Sequence, residues 1–159
     1  MDENMFHKEA VFLNIDATST DEVLDYVYHK MHDMGYVTEE FAQAVKDREH
    51  KYPTGLPGPI CDIAVPHTDP EYVTKPFIAV VTTKKGIPFV KMATRDEYLQ
   101  SKIIFVLGFK TGKYQVKILQ TLIRRFIQES EMAAAFLKAN DVESCYEMLM
   151  EIQNEVVIC

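Results

Sequence analysis

The chain has 159 residues, and its 17 basic and 24 acidic side chains give a formal net charge of -7. This length suits one hydrophobic core, so we expect a single domain over residues 1–159 with its core at about 10–152. The acidic balance argues against nucleic acid as a partner, because proteins that bind phosphate backbones rely on a basic surface.

Cysteine spacing and the length of the apolar runs indicate the setting in which the chain works. Cys61, Cys145 and Cys159 are widely spaced and form no CxxC pair, so neither a disulfide framework nor a zinc site is indicated. The apolar runs fall far short of the roughly 20 residues that span a bilayer, and residues 1–4 lack the basic start of a signal peptide. We therefore expect a soluble, cytoplasmic protein with no membrane insertion.

The first part of the chain predicts one strand and two helices. An apolar run over residues 10–15 is typical of a strand. Residues 18–22 hold a helix-capping sequence, and the apolar residues that follow at spacings of three and four predict a helix over 21–34, ended by Gly35. The same spacing predicts a second helix over 38–50.

Strands dominate the middle of the chain. Residues 52–59 hold prolines and glycines in close succession, which predicts an irregular loop before a strand at 63–65. Residues 77–83 and 101–109 are rich in Val, Ile and Phe, which is typical of strands buried on both faces. Between them, residues 86–90 predict a turn into another short or edge strand.

The last part of the chain predicts helices. Residues 114–128 carry a broad apolar face, and residues 131–139 and 141–152 predict two more helices separated by Asn140. Strands that alternate with helices indicate the α/β class. We expect a single-domain sandwich with a mixed central β-sheet flanked by helices.

The candidate catalytic residue is His67, which follows the predicted strand at 63–65 directly after Pro66. Proline removes a donor from the sheet, so the strand stops there and delivers the imidazole to an edge where a partner can reach it. A neutral imidazole attacks phosphorus, and its bond to phosphorus is labile enough to pass the group onward. Phosphoryl transfer needs charge stabilisation on the oxygens, which the guanidinium of Arg48 can supply.

Five short blocks in a fixed order resemble one protein family. They are DRE at 47–49, PTGL at 53–56, IAVPHTD at 63–69, KP at 75–76 and IAV at 78–80. Together they resemble the type-2 enzyme IIA domains of the bacterial phosphoenolpyruvate-dependent sugar phosphotransferase system, in the fructose/mannitol superfamily and with a galactitol-like character. The resemblance implies the enzyme IIA type-2 fold, a mixed β-sheet covered by helices.

The resemblance also implies a function and its partners. Such a domain is a phosphotransferase component that takes a phosphoryl group from the histidine phosphocarrier protein onto the matching histidine, here His67. It then passes the group to a cysteine of enzyme IIB, for sugar or sugar-alcohol uptake through the enzyme IIC membrane permease. Arg48 matches the family's arginine, and the scheme requires neither a metal nor another cofactor.

Further residues are candidates for supporting roles. The backbone amides of Thr54 and Gly55 and the Thr54 hydroxyl are placed to donate hydrogen bonds to the phosphoryl group, and Thr68 to hold the ring nitrogen or the phosphoryl oxygens. Many type-2 domains carry a second histidine near the start of the helix after the last core strand, and the comparable stretch here has none. Lys113 or Gln115 is the candidate replacement.

A docking surface and a second function complete these expectations. Transfer partners must reach His67, so we expect a shallow, partly apolar surface around it, formed by Phe41, Leu56 and Val73. The alternative function is a regulatory phosphoacceptor domain of the same fold, whose phosphorylation state controls a protein partner.

Other histidines and one loop offer competing interpretations. His50 is a rival phosphoacceptor near Arg48, although a histidine at a helix end is more often a cap. His29 and His32 lie three residues apart beside acidic residues, which suggests a metal site, but such pairs on an exposed face are usually solvated. The loop at 55–58 lacks the GK[ST] continuation of a nucleotide-binding loop, so we expect no nucleotide.

Overall fold

The computed structural model describes residues 4–110 and 113–158 of the chain. Its strands are β1 (Phe6–Phe12), β2 (Gly55–Leu56), β3 (Asp62–Ala64), β4 (Phe77–Val90) and β5 (Tyr98–Gly108). Its helices are α1 (Thr20–Asp33), α2 (Phe41–Lys51), α3 (Lys113–Ile123), α4 (Glu131–Lys138) and α5 (Val142–Ile158). The strands form one sheet in the order β1-β4-β5-β3-β2, with parallel and antiparallel neighbours. The predicted α/β class with a mixed sheet is confirmed.

Helices cover both faces of the sheet, and alternate residues of the central strands face two separate cores. On β4, Ile78 and Val80 pack into the core that α3, α4 and α5 cover. Their neighbours Ala79 and Val81 pack into the core that α1 and α2 cover. A strand that is buried on both faces has no polar side to alternate with, which is why β4 and β5 read as continuous apolar runs.

The first strand and the first helix follow from the sequence with one shift. The Ser19 Oγ accepts a hydrogen bond from the Glu22 amide at 3.1 Å, which is the predicted cap of α1. Gly35 follows the helix with a φ of +82°, a conformation that costs glycine little. Strand β1 begins four residues before the predicted run at 10–15, because polar residues in its middle hide the start of this edge strand.

Two predictions about the strands are wrong. The predicted irregular loop over 52–59 contains strand β2, which pairs antiparallel with β3. The predicted turn at Gly86 is a bulge, because the register of β4 shifts between Thr82 and Ile87 while both halves pair with β5. From Thr82 to Ile87 strand β4 advances five residues while its partners on β5, Ile103 and Ser101, lie two residues apart. Strand β4 therefore carries three extra residues there without ending the pairing, and the chain continues as a single irregular strand.

The helix predicted over 114–128 is interrupted. It ends as α3, and a π-helical turn follows at Arg124–Gln128. The Glu129 amide donates to the Arg124 carbonyl at 2.8 Å, which is the five-residue step of a π-turn. The wider turn keeps Phe126 in the core, where its ring packs against Phe105 and Phe136.

Candidate functional site

His67 lies just beyond β3, where the chain leaves the sheet. The Pro66 carbonyl accepts a hydrogen bond from the Leu107 amide at 2.9 Å, and His67 forms an isolated bridge with Leu107 of β5. These contacts hold the loop against the end of the sheet. His67 is half-buried in this position.

One ring nitrogen of His67 has a backbone partner. Its Nδ1 lies 2.8 Å from the Val65 carbonyl oxygen. Because a carbonyl oxygen only accepts hydrogen bonds, this contact requires the proton of the neutral imidazole on Nδ1. The lone pair of the ring then lies on Nε2, which is the nucleophilic atom that this geometry presents.

Arg48 approaches the same loop from the last turn of α2. Its Nη1 lies 3.5 Å from Asp69 Oδ1, two residues beyond His67. Its guanidinium carbon lies 5.1 Å from the centre of the Tyr52 ring. The Arg48 side chain is 40% exposed and that of Asp69 60% exposed, and such surface pairs contribute little to stability. The guanidinium can therefore exchange Asp69 for a stronger anionic partner at low cost.

Thr54 lies buried below this loop, and its hydroxyl already has two partners. The Oγ1 donates to Glu49 Oε1 at 2.8 Å and accepts from the Val65 amide at 3.1 Å. The Thr54 amide donates to Glu49 Oε2 at 2.8 Å. Both Thr54 donors therefore bind the Glu49 carboxylate and not, as expected, a phosphoryl group. The Thr54 hydroxyl oxygen instead holds the Val65 amide, at the end of β3.

Glu49 is a component of the site that the sequence reasoning missed. Its side chain is only 4% exposed, and burial raises the pKa of its carboxyl to about 7 against the opposing effect of the Thr54 hydrogen bonds. Phe41, Val45 and Glu49 recur at a spacing of four, so Glu49 occupies the apolar face of α2. A charged residue at an apolar position was the available signal, because acidic side chains are rarely buried without a partner.

The remaining predicted site residues are Gly55, Thr68, Gln115 and Lys113. Gly55 lies in β2, and a Cβ there would come 2.7 Å from the Val90 carbonyl oxygen, so packing requires a glycine. Thr68 is buried next to the histidine in the chain, and Gln115 is buried in α3. The Lys113 side chain lies outside the described residues. Site roles for Thr68, Gln115 and Lys113 stay predictions.

The predicted docking surface is wrong for Phe41 and Val73. Phe41 is 0% exposed and Val73 2% exposed, and both belong to the core below α1 and α2. Leu56 is partly buried and packs against the other core. The exposed apolar side chain beside Arg48 is Tyr52, which is 54% exposed.

The other histidines have partners of their own. The Nε2 of His50 lies 2.9 Å from Asp21 Oδ1. His29 and His32 each contact the Tyr28 ring at a centroid distance of 5.2 Å. A cleft of about 1050 Å³ opens beside His50, and its lining includes neither His67 nor Arg48. The His67 imidazole therefore lies outside this cleft.

The described part of the chain holds two buried thiols and neither a metal-binding cluster nor a helix that could span a membrane. Within residues 4–110 and 113–158, no group of three or more His, Cys, Asp or Glu side chains is arranged to hold a metal ion. No helix in the same ranges combines the length and the apolar character that a membrane crossing needs. Cys61 and Cys145 are free and buried, and burial raises the pKa of each thiol to about 11.

This chain is similar to one family model and to several solved structures. Residues 4–152 match the model described as phosphoenolpyruvate-dependent sugar phosphotransferase system, EIIA 2. IIA mannitol from Escherichia coli has a TM-score of 0.71 and 22% identity, over 90% of this chain and 97% of that one. A complex of enzyme IIA mannitol and phosphorylated enzyme IIB mannitol from the same organism has a TM-score of 0.74 and 21% identity, over 92% of this chain and 99% of that one. Nitrogen regulatory protein IIA-Ntr from Neisseria meningitidis has a TM-score of 0.70 and 15% identity, over 91% and 96%. Curated proteins give no match.

Proposed function

Because this chain belongs to the EIIA 2 family of the phosphoenolpyruvate-dependent sugar phosphotransferase system, and is therefore a phosphotransferase component, we propose that His67 accepts and donates its phosphoryl group. The observation that carries the proposal is the 2.8 Å contact between His67 Nδ1 and the Val65 carbonyl oxygen. This contact holds the ring and presents the Nε2 lone pair to a partner.

The proposed reaction has two displacements at phosphorus. Nε2 of His67 attacks the phosphohistidine of the histidine phosphocarrier protein, and the donor imidazole leaves with the electron pair of the broken P–N bond. A cysteine thiolate of enzyme IIB then attacks the phosphoryl group on His67, and Nε2 recovers its electron pair. The Val65 carbonyl stabilises the positive charge that develops on the ring while Nε2 is bonded to phosphorus.

Arg48 is the proposed ligand of the phosphoryl oxygens. The negative charge of Asp69, two residues from His67, would repel an incoming phosphoryl group, and Arg48 offsets that charge. A guanidinium binds two oxygens at once through its fork, so the phosphoryl group can displace the single long contact to Asp69. The Tyr52 ring, 5.1 Å from the guanidinium carbon, limits the positions that the guanidinium can take.

We propose that partners bind the exposed surface beside Arg48, with Tyr52 as the apolar contact. A transient transfer partner needs only a small interface, and one exposed aromatic ring next to the reacting group suits that need. Enzyme IIB is the proposed acceptor because a neighbour of this fold was solved with phosphorylated enzyme IIB. We further propose that the chain acts as a single cytoplasmic domain that serves an enzyme IIC permease, with a galactitol-like sugar alcohol as the transported class.

A regulatory role is the second candidate, since a nitrogen regulatory protein shares this fold. In that case His67 would still take a phosphoryl group, but the phosphorylated loop would change the affinity for a protein partner. Transfer to an enzyme IIB cysteine separates the two candidates. A transport component passes its phosphoryl group to that cysteine, whereas a regulator retains it.

The test is phosphorylation with phosphoenolpyruvate, enzyme I and the histidine phosphocarrier protein. Wild type should take one phosphoryl group, and His67→Ala should take none while its melting temperature is retained. His50→Ala is the matched control, because this histidine is exposed and pairs with Asp21. Normal labelling of His67→Ala would refute the assignment, as would loss of labelling in His50→Ala alone.

A further inference from the structure

We propose that Glu49 is a positioning residue for the His67 imidazole, an inference that rests on the proposed function of that histidine. Glu49 does not touch the ring. Its carboxylate accepts hydrogen bonds from Thr54, the Thr54 hydroxyl oxygen accepts the Val65 amide, and the Val65 backbone leads to the carbonyl that contacts the ring. This series of contacts begins at a buried carboxylate and ends at the nitrogen that must keep its proton.

Each contact in the series is short. The Glu49 carboxylate accepts both donors of Thr54, the amide and the hydroxyl, at 2.8 Å each. The Thr54 hydroxyl oxygen accepts the Val65 amide at 3.1 Å. The Val65 carbonyl oxygen lies 2.8 Å from His67 Nδ1. The next residue, Pro66, is also held, because its carbonyl oxygen accepts a hydrogen bond from the Leu107 amide.

The direction of these bonds depends on the ionised Glu49 carboxylate, the form that the folded protein holds above the Glu49 pKa of about 7. A hydroxyl has one proton, and Thr54 gives its proton to Glu49, so its oxygen faces the Val65 amide as an acceptor. Glu49 and Thr54 are each 4% exposed and Val65 is 3% exposed, so water has little access to replace a lost partner. Without the carboxylate, the Thr54 hydroxyl must find another acceptor, and the Val65 amide loses its fixed partner.

The position of Glu49 on α2 links it to the second catalytic group. Successive residues of an α-helix point about 100° apart, so Arg48 faces the surface while Glu49 faces the interior. One helix turn thus supplies the proposed phosphoryl ligand and the support of the nucleophile. We infer that Glu49 sets the position of His67 relative to the guanidinium.

The test uses three variants and the tautomer of His67. Thr54→Val has nearly the shape of threonine but lacks the hydroxyl, and Thr54→Ser keeps the hydroxyl as the matched control. Glu49→Gln replaces one acceptor oxygen by a donor, so it cannot accept both Thr54 groups. The ¹⁵N shifts of His67, recorded at about pH 8, report which nitrogen carries the proton.

We expect the Nδ1–H tautomer to dominate in wild type and Thr54→Ser, and the two tautomers to mix in Thr54→Val and Glu49→Gln. The kcat for phosphoryl transfer should fall by about tenfold in the latter two while KM changes by less than about twofold, since the partner surface is unchanged. An unchanged tautomer ratio in folded Thr54→Val would overturn the inference, and this comparison remains available if Glu49→Gln does not fold.

The two readouts also separate this inference from the proposed function. The tautomer is measured without a phosphoryl donor, so it does not depend on what His67 does. A wild-type protein with the Nδ1–H tautomer but no labelling at His67 would contradict the proposed function alone. Labelling at His67 with equal tautomer ratios in all four proteins would contradict the positioning role alone.

Discussion

The buried Glu49 carboxyl makes a specific prediction about stability and pH. Burial raises its pKa in the folded protein from 4.5 to about 7. At pH values between these two, the folded protein holds a proton on Glu49 that the unfolded chain has released. Raising the pH through this interval therefore favours the unfolded chain, and the contribution of Glu49 to stability is greatest below pH 4.5.

The size of the effect follows from the separation of the two pKa values. About two and a half pH units at about 1.4 kcal/mol each give a loss of between about 3 and 4 kcal/mol across the full interval. Glutamine does not titrate, so Glu49→Gln should lack this dependence. Relative to Glu49→Gln, the free energy of unfolding of wild type should thus fall by about 3 kcal/mol as the pH rises from about 4 to about 8.

Urea denaturation of both proteins over this pH range measures the difference directly. His50 is the charged neighbour that acts on the Glu49 carboxyl, and it pairs with Asp21. Placing His50→Gln in both proteins removes the electrostatic effect of this neighbour from the comparison. A difference that stays constant with pH, or that shifts in favour of wild type as the pH rises, would refute the account of Glu49 as a buried carboxyl of raised pKa.

Four more substitutions test other parts of the structure. Arg48→Lys keeps the charge but loses the fork, so phosphoryl transfer should slow by about tenfold, or about 1.4 kcal/mol, and an unchanged rate would place Arg48 outside the site. Tyr52→Ala should raise the KM for the phosphoryl donor with little change in melting temperature, and an unaltered KM would remove Tyr52 from the partner surface. Gly55→Ala forces a Cβ toward the Val90 carbonyl and should lower the free energy of unfolding by about 1–3 kcal/mol in urea denaturation, whereas wild-type stability would contradict the close approach. Leu56→Asp places a charge against the core and should lower the melting temperature, and a rise in KM at fixed stability would return Leu56 to the docking surface.

The parts of the fold that the sequence predicted are those with a strong local signal. The α/β class, the family and the role as a phosphotransferase component are all confirmed. Strands β4 and β5 were visible because they are buried on both faces, and α1 because its cap and terminal glycine both lie in the sequence. The end of β3 before His67 was marked by Pro66.

The parts that the sequence did not predict depend on contacts between distant residues. Strand β2 exists because β3 lies beside it, and two residues with glycine carry too little strand preference to predict it alone. Phe41 and Val73 were wrongly predicted to be exposed, and they lie in a core instead. A residue's closeness to a site in the sequence does not tell which way its helix or loop packs against the sheet. Glu49 was missed because its carboxylate is bound by Thr54, beyond the end of α2, and Thr54 in turn binds the distant Val65 amide, and the helical pattern of α2 reveals neither contact.

The most direct test of the central claim is the identity of the phosphorylated atom. The protein is phosphorylated by phosphoenolpyruvate, enzyme I and the histidine phosphocarrier protein, and the ³¹P–¹⁵N coupling is recorded on ¹⁵N-labelled protein. Because the Val65 carbonyl holds the proton on Nδ1, we predict that phosphorus is bonded to Nε2 of His67. Phosphorus on Nδ1 of His67, or on another histidine such as His50, would contradict the account.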